Sequence, residues 1–208
     1  MDHLQQLVER YPNLESISCN INAAYEIISE SFANGGKLLV AGNGGSAADA
    51  EHIVGELMKS FVKKRKLPDT FINRIKELDP EIAAYLVPGL QPGLPAIALS
   101  GHVSLNTAVI NDIDGDITFA QQVYGYGKEE DVFLGISTSG NSKNIMYAAA
   151  AAKAKKLKVI ALTGCDGGIL KRFADITIIV PETETYKIQE LHLPVYHCLC
   201  LMLEERFF

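Results

Sequence analysis

Five short, unbroken apolar runs constrain this chain more than any other feature: Leu38-Leu39-Val40-Ala41, Ala96-Ile97-Ala98-Leu99, Val132-Phe133-Leu134-Gly135-Ile136, Val159-Ile160-Ala161-Leu162 and Ile176-Thr177-Ile178-Ile179-Val180. None alternates apolar with polar residues, so each reads as a strand covered on both faces, the habit of a parallel sheet. Helical patterns separate them, which favours right-handed βαβ crossovers. The expected fold class is α/β: a doubly wound five-stranded parallel sheet of flavodoxin-like form flanked by helices, with an N-terminal helical extension. A length of 208 residues suits a single domain over 1–208.

Two helical stripes occupy the first 35 residues: Leu4, Leu7 and Val8, then, past the Pro12-Asn13 break, Leu14, Ile17, Ile21, Ala24, Ile28 and Phe32. Gly35-Gly36 ends the second. The segment 59–95 departs from the strand–helix alternation. It opens on the only concentrated positive run, Lys63-Lys64-Arg65-Lys66, passes a short helical pattern at Phe71, Ile75 and Leu78, and is broken by Pro88, Pro92 and Pro95. A basic cluster of this kind more often marks a solvated excursion; a lid or subunit contact is the sharper alternative.

Charge and cysteine content narrow the function classes. Lys and Arg number 19 against 25 Asp and Glu, a net charge of −6, so a cationic face for nucleic acid is not expected. The four cysteines, Cys19, Cys165, Cys198 and Cys200, lack the C-x-x-C spacing of a zinc ribbon and give no disulfide framework. MDHLQQLVER has no signal-peptide core, and no run approaches the ~18 apolar residues of a membrane span. A soluble, cytoplasmic protein without nucleic-acid or membrane partners is the expectation.

Two loops carry the chemistry. The first strand runs into Gly42-Asn43-Gly44-Gly45-Ser46, and the third into Ser137-Thr138-Ser139-Gly140-Asn141-Ser142, each followed by a helix. Both therefore lie at the carboxyl end of a parallel strand and at a helix N-terminus, where free N–H groups and the helix dipole favour an anion. Asn43, Gly44, Gly45, Ser46, Ser137, Thr138, Ser139 and Ser142 suit a phosphate monoester. Gly42-x-Gly44-x-x-Ala47 matches the dinucleotide fingerprint only weakly, because no acidic residue closes a second strand about twenty positions later. A nucleotide P-loop is also poor, lacking its Gly-Lys-Ser/Thr. Plain glycine turns with serine caps would explain one loop, but two on neighbouring strands favour phosphate binding.

The helix after the first loop carries His52 and Glu56, whose i,i+4 spacing puts them on one face. Taken alone, such a pair is more often a hydrogen-bonded surface pair than a metal site. The last helical stretch carries Gln189, His192 and His197. Gln189 and His197 are eight residues apart, about 80° round a helix, so both can look toward one cleft. For His192 a buried structural role is at least as good a reading as a functional one.

These residues resemble a known family. Gly42-Asn43-Gly44-Gly45-Ser46 with Asp49, Gly135 through Ser142, and Ala161-Leu162-Thr163-Gly164 with Asp166-Gly167-Gly168 are similar to the sugar isomerase (SIS) domain, and within it to the phosphoheptose isomerases. The resemblance implies interconversion of sedoheptulose 7-phosphate and D-glycero-D-manno-heptose 7-phosphate through an enediol. It further implies a zinc ion (Zn2+) held by His52, Glu56, Gln189 and His197, with Glu56 as general base and His197 as its acid partner. Asn111-Asp112 match the family's substrate contact, and Glu56 and Gln189 also face substrate. The family assembles as homotetramers, and the apolar N-terminal stripes fit that arrangement, since one five-stranded layer does not obviously bury them. The excursion 59–95 is roughly twenty residues longer than the family pattern suggests, which bears on sugar specificity. An isomerase of another sugar phosphate is one alternative. Another comes from SIS relatives that bind the DnaA replication initiator instead of catalysing; Cys198-Leu199-Cys200 resembles that branch.

Overall fold

The computed structural model describes residues 2–208. Helix α1 (His3–Arg10) is capped by Asp2, whose carboxylate accepts from the Gln5 backbone N–H. The Pro12 break becomes a 3-10 turn, Pro12–Ile17, before α2 (Ser18–Ala33). Strand β1 (Leu38–Ala41) feeds α3 (Gly45–Met58), and a pair of short helices follows, α4 (Asp69–Leu78) and α5 (Pro80–Leu86). Next come β2 (Ala96–Ala98), α6 (Val103–Asp112), α7 (Thr118–Tyr126), β3 (Val132–Ser137) and α8 (Lys143–Ala154). Strands β4 (Lys158–Thr163) and β5 (Ile176–Ile179) lead to the long C-terminal α9 (Thr185–Phe207).

The five strands form one all-parallel sheet in the order β2-β1-β3-β4-β5, as the apolar runs require. Successive side chains of a strand point to opposite faces, so each run feeds two cores. Leu38, Val40, Leu134, Ile136, Ile160, Leu162 and Ile178 pack beneath α1, α2, α3 and α9. Leu39, Ala41, Phe133, Val159 and Ala161 pack beneath α7 and α8. The chain leaves β1 outward to β2 and then returns across to β3, so the switch point where such sheets bind ligands lies between β1 and β3.

Two expectations change. The N-terminal stripes need no partner molecule: Leu7, Leu14, Ile21, Ala24, Ile28 and Phe32 are buried within the chain, in one core with α9 and the sheet. Large apolar side chains are exposed elsewhere, with Leu78 83%, Tyr85 84% and Val103 71% accessible. The basic run is also not uniformly solvated. Lys64 and Lys66 are exposed, but Arg65 is buried and pairs with the equally buried Glu204 of α9 at 2.9 Å.

His192 is fully buried on α9, with neither ring nitrogen in hydrogen-bond geometry. Burial pushes its imidazole down to about 4, and the Thr163 backbone offsets only part of that. A folded value below the unfolded one means that the unfolded chain binds the proton first as pH falls. Stability contributed by neutral His192 is therefore complete above pH ~6.5 and is lost as the pH drops toward 4, roughly 3 kcal/mol in all. The expected result is a urea midpoint that declines between those pH values in the native chain and is flatter there in His192→Leu. An equal decline in both would show that His192 is not the cause.

Candidate active site

At the carboxyl ends of β1 and β3 the two loops meet. Asn43 and Asn144 exchange reciprocal amide hydrogen bonds of 2.9 Å, tying the glycine loop to the first turn of α8. Gly44 stands at the N-cap of α3 with φ +56, and Ser142 at that of α8, and neither makes a side-chain capping bond. The Ser142 hydroxyl instead meets that of Ser137 at 3.0 Å. Serine capping thus does not describe these loops: the Ser46 and Ala47 N–H groups donate to the Asn43 and Gly44 carbonyls, and the Ile145 N–H to the Asn144 side-chain oxygen.

The serine loop is braced from behind by the turn after β4. The Thr138 carbonyl accepts from Gly164 N–H, the Gly140 carbonyl from Leu170 N–H, and the Asn141 side-chain oxygen from Ile169 N–H. Gly140 has φ +66, and a Cβ there would lie 2.1 Å from the Gly167 carbonyl oxygen, so only glycine lets the two turns touch. Asp166-Gly167-Gly168 therefore act as a buttress. A cleft of about 250 Å³ opens beside the first loop, lined by Asn43, Gly44, Asn106, Thr118 and Asn144 among others. Ser46 and Ser137 are buried, Thr138 is half-buried and Ser139 exposed, and none of the four lines that cleft.

Farther along α3, titratable side chains gather. The His52 Nε2 lies 3.1 Å from Glu56 Oε1, and Lys59 Nζ donates to Glu56 Oε2 at 3.3 Å. From α9, the His197 ring stands edge-on to His52 with centroids 5.0 Å apart, and Phe61 covers His197 from the excursion side at 5.3 Å. His197 Nε2 is buried without a hydrogen-bond partner. Burial first, and then the neighbouring His52 and Arg10, lower the His197 pKa, while Glu56 acts in the opposite sense. A cleft of about 310 Å³ between α1 and α9 reaches His197 past Gln6, Arg10 and Tyr11. His52, Glu56 and His197 thus converge from two helices separated by some 140 residues of chain.

Gln189 and the Asn111-Asp112 pair stand elsewhere. A Cβ on Gly45 would lie 2.6 Å from Gln189 Nε2, so the amide sits against the start of α3, seven residues or about 10 Å of helix before His52. Gln189 faces the start of α3 at Gly45, and His197 faces His52 farther along it. Asn111 and Asp112 are exposed on α6, where Asn111 Nδ2 donates to Asp112 Oδ1 at 2.8 Å, and they line neither cleft. Among the described residues no three His, Cys, Asp or Glu side chains stand arranged to hold a metal ion. The donor types nevertheless fit zinc, with an unpartnered buried imidazole nitrogen and a carboxylate beside a second imidazole.

Three residues escape a reading of the sequence. Asn144 carries no motif signal beyond its place two residues after Ser142. Tyr196, only 1% exposed, reads as an apolar core position of α9, yet its hydroxyl bridges His52 Nδ1 at 3.0 Å and Asp49 Oδ1 at 3.3 Å. Asp49 belongs to the first-loop motif, and only its place one turn before His52 hints at this contact.

A doubly wound parallel sheet with serine-rich loops at its switch point is the form of a SIS domain, and the SIS domain family model matches residues 2–77 and 81–164. The interruption falls between α4 and α5. The phosphoheptose isomerase of Helicobacter pylori (strain P12) is 38% identical over 195 residues, covering 94% of this chain and 88% of that protein. That of a Nitratiruptor species is 37% identical over 212 residues, covering 100% of each. The solved phosphoheptose isomerase of Francisella tularensis superposes with a TM-score of 0.77 at 34% identity, covering 97% of this chain and 94% of the other. The Neisseria gonorrhoeae structure gives 0.74 at 33% identity, over 97% and 91%. The chain belongs to the phosphoheptose isomerase family, whose members are aldose–ketose isomerases.

Proposed function

We propose that this chain interconverts sedoheptulose 7-phosphate and D-glycero-D-manno-heptose 7-phosphate. The observation that carries the reading is the convergence of His52, Glu56 and His197 two to three turns of α3 away from the hydroxyl-bearing loops. Ser46 and His52 are six residues apart on α3, about 9 Å along its axis. With the phosphate at one end and the reacting carbons at the other, that spacing favours a long sugar chain over a triose. Glu56 takes the proton from the carbon beside the carbonyl and returns it to the neighbouring carbon. His197 moves the hydroxyl proton between the two oxygens, so the enediol collapses to the other isomer with atoms in balance. The cradle holds the phosphate and so fixes the register of the reacting end, which converts remote binding into orientation.

His52, Glu56 and His197 would hold the zinc, with some side-chain movement to close round it, and Gln189 would reach it only by leaving Gly45. When bound, zinc supplies positive charge that polarises the sugar carbonyl. Assembly of the chain as a tetramer belongs to the same proposal, supported by the apolar side chains left exposed on the excursion and on α6. Cys198 and Cys200, whose spacing resembles the initiator-binding branch, are buried packing residues.

The test is a panel of six- and seven-carbon ketose phosphates incubated with the chelator-treated chain, with and without added zinc. The expected result is conversion of the seven-carbon ketose that zinc restores. Preference for a six-carbon ketose would change the sugar and keep the reaction. A folded chain that turns over none of them overturns the proposal.

A further inference from the structure

Between α3 and α4 the chain forms neither helix nor strand, yet its first residues are tightly held. The Ser60 N–H donates to the Gln91 side-chain oxygen at 2.7 Å. The next three N–H groups all go to one carboxylate, that of Glu204 on α9. Phe61 donates to Oε1 at 2.8 Å, and Val62 and Lys63 donate to Oε2 at 2.8 and 2.9 Å. Four successive backbone donors are thus taken by side-chain acceptors, where an ordinary surface loop leaves such groups to water. Glu204 is buried, and a charged acceptor makes the stronger kind of hydrogen bond. The segment 60–63 is therefore a fixed strap. It runs over the proposed acid–base site. Just before it, Lys59 places Nζ 3.3 Å from Glu56 Oε2 and 3.1 Å from the Ser60 carbonyl. The Phe61 ring lies against the His197 imidazole, with centroids 5.3 Å apart and planes at 52°.

We propose that Phe61, held in place through Glu204, is a positioning residue for the isomerase reaction: its ring fixes the His197 imidazole from one side and keeps water from the carbons that react between Glu56 and His197. Tyr196 and His52 stand edge-on to His197, whereas Phe61 is tilted across it. Phe61 does not line the cleft that reaches His197 past Gln6, Arg10 and Tyr11, so it closes a separate approach. The reaction gives such a cover a task. While the enediol exists, the proton taken from carbon sits on Glu56 as a carboxylic acid. Water that reaches it exchanges that proton before it is delivered to the neighbouring carbon, and a site closed to water prevents the loss. An apolar ring shields without offering a donor or an acceptor of its own. The inference rests on the isomerase reading and deepens it, but the shielding itself can be measured without substrate.

Two measurements test it. The first needs no substrate: proton NMR of the His197 ring in the full chain, assigned by its loss in His197→Gln, with a neutral gadolinium chelate dissolved as relaxation agent. The ring protons are expected to relax severalfold faster in Phe61→Ala than in the native chain, and nearly as slowly as native in Phe61→Leu. The second runs the seven-carbon ketose phosphate in heavy water and measures deuterium at the carbon that receives the proton. The native chain is expected to keep part of the original protium there. Phe61→Ala is expected to lose it, with kcat down about 10–100-fold and KM little changed, and Phe61→Leu to recover most of both. Glu204→Gln, which withdraws the charge that gathers the three N–H groups, should move both readouts toward those of Phe61→Ala. Circular dichroism shows which variants are folded, and the two Phe61 variants decide the matter if Glu204→Gln is not. Ring relaxation or isotope content unchanged in folded Phe61→Ala overturns the proposal, as does complete exchange in the native chain. A native chain that turns over no sugar phosphate while its His197 ring is shielded counts against the isomerase reading, and with it the guarding of the proton, but not against the shielding by Phe61.

Discussion

Replacing Glu56 by Gln is expected to lower kcat on the seven-carbon ketose phosphate by about 10²–10⁴-fold, the usual worth of a positioned base, while KM changes little. The substitution is nearly isosteric, and Glu56 lies half-buried in the last turn of α3, so the fold has no reason to yield. What disappears is the ability to take up a proton: an amide oxygen in the same place accepts a hydrogen bond but not a hydrogen ion. Binding should survive because the proposed phosphate site lies at the other end of the helix, at Ser46 and the serine loop, among groups that the substitution does not touch. Steady-state kinetics with chemical detection of the aldose gives kcat and KM separately. A loss confined to KM would mean that Glu56 only binds, and a kcat within about threefold of native would remove it from the proton path.

The sheet was legible because its signal is local. Each strand is a run of residues that must all be apolar, and the structure reproduces the five runs to within a residue or two, with Leu99 passing from the second strand into a 3-10 turn. The two loops were legible for a related reason, since glycine and serine at a strand end followed by a helix are contiguous. The pairing of His52 with Glu56 was likewise set by helical periodicity. What failed was long-range. Nothing in Lys63-Lys64-Arg65-Lys66 distinguishes the one buried member, because its partner Glu204 lies 139 residues later. Tyr196 gives no sign that its hydroxyl is spoken for by Asp49, 147 residues earlier. Helical angle alone allowed Gln189 and His197 to share a cleft; the eight residues of helical rise between them, about 12 Å, place them at opposite ends of it. Periodicity reports which way a side chain points, and only packing reports what it meets.

The buried pair shows how much rests on such a meeting. Arg65→Met is expected to lower the unfolding free energy by about 3–5 kcal/mol, because it leaves the Glu204 carboxylate buried without its counter-charge. Glu204 accepts from the backbone N–H groups of Phe61, Val62 and Lys63 as well as from Arg65 Nε. Burial alone would raise its pKa, yet those donors together hold it below the usual carboxylate range. Arg65 in turn donates to the Leu57, Pro92 and Glu56 carbonyls and lies over the Phe208 ring at 4.4 Å. Urea unfolding at neutral pH measures the loss. Arg65→Met/Glu204→Leu should be more stable than the two single losses added together, since removing both partners leaves no orphaned charge; strict additivity would show that the ions act independently. The consequence reaches past stability. Arg65 closes the end of α3, the helix of His52 and Glu56, onto the last turns of α9, the helix of His197, so the spacing of Glu56 and His197 depends on a pair that meets Glu56 only at its backbone carbonyl. A chain carrying Arg65→Met that still folds at low temperature should therefore lose kcat before it loses affinity for the phosphate, whose cradle is fixed independently by Asn43, Asn144 and the turn after β4.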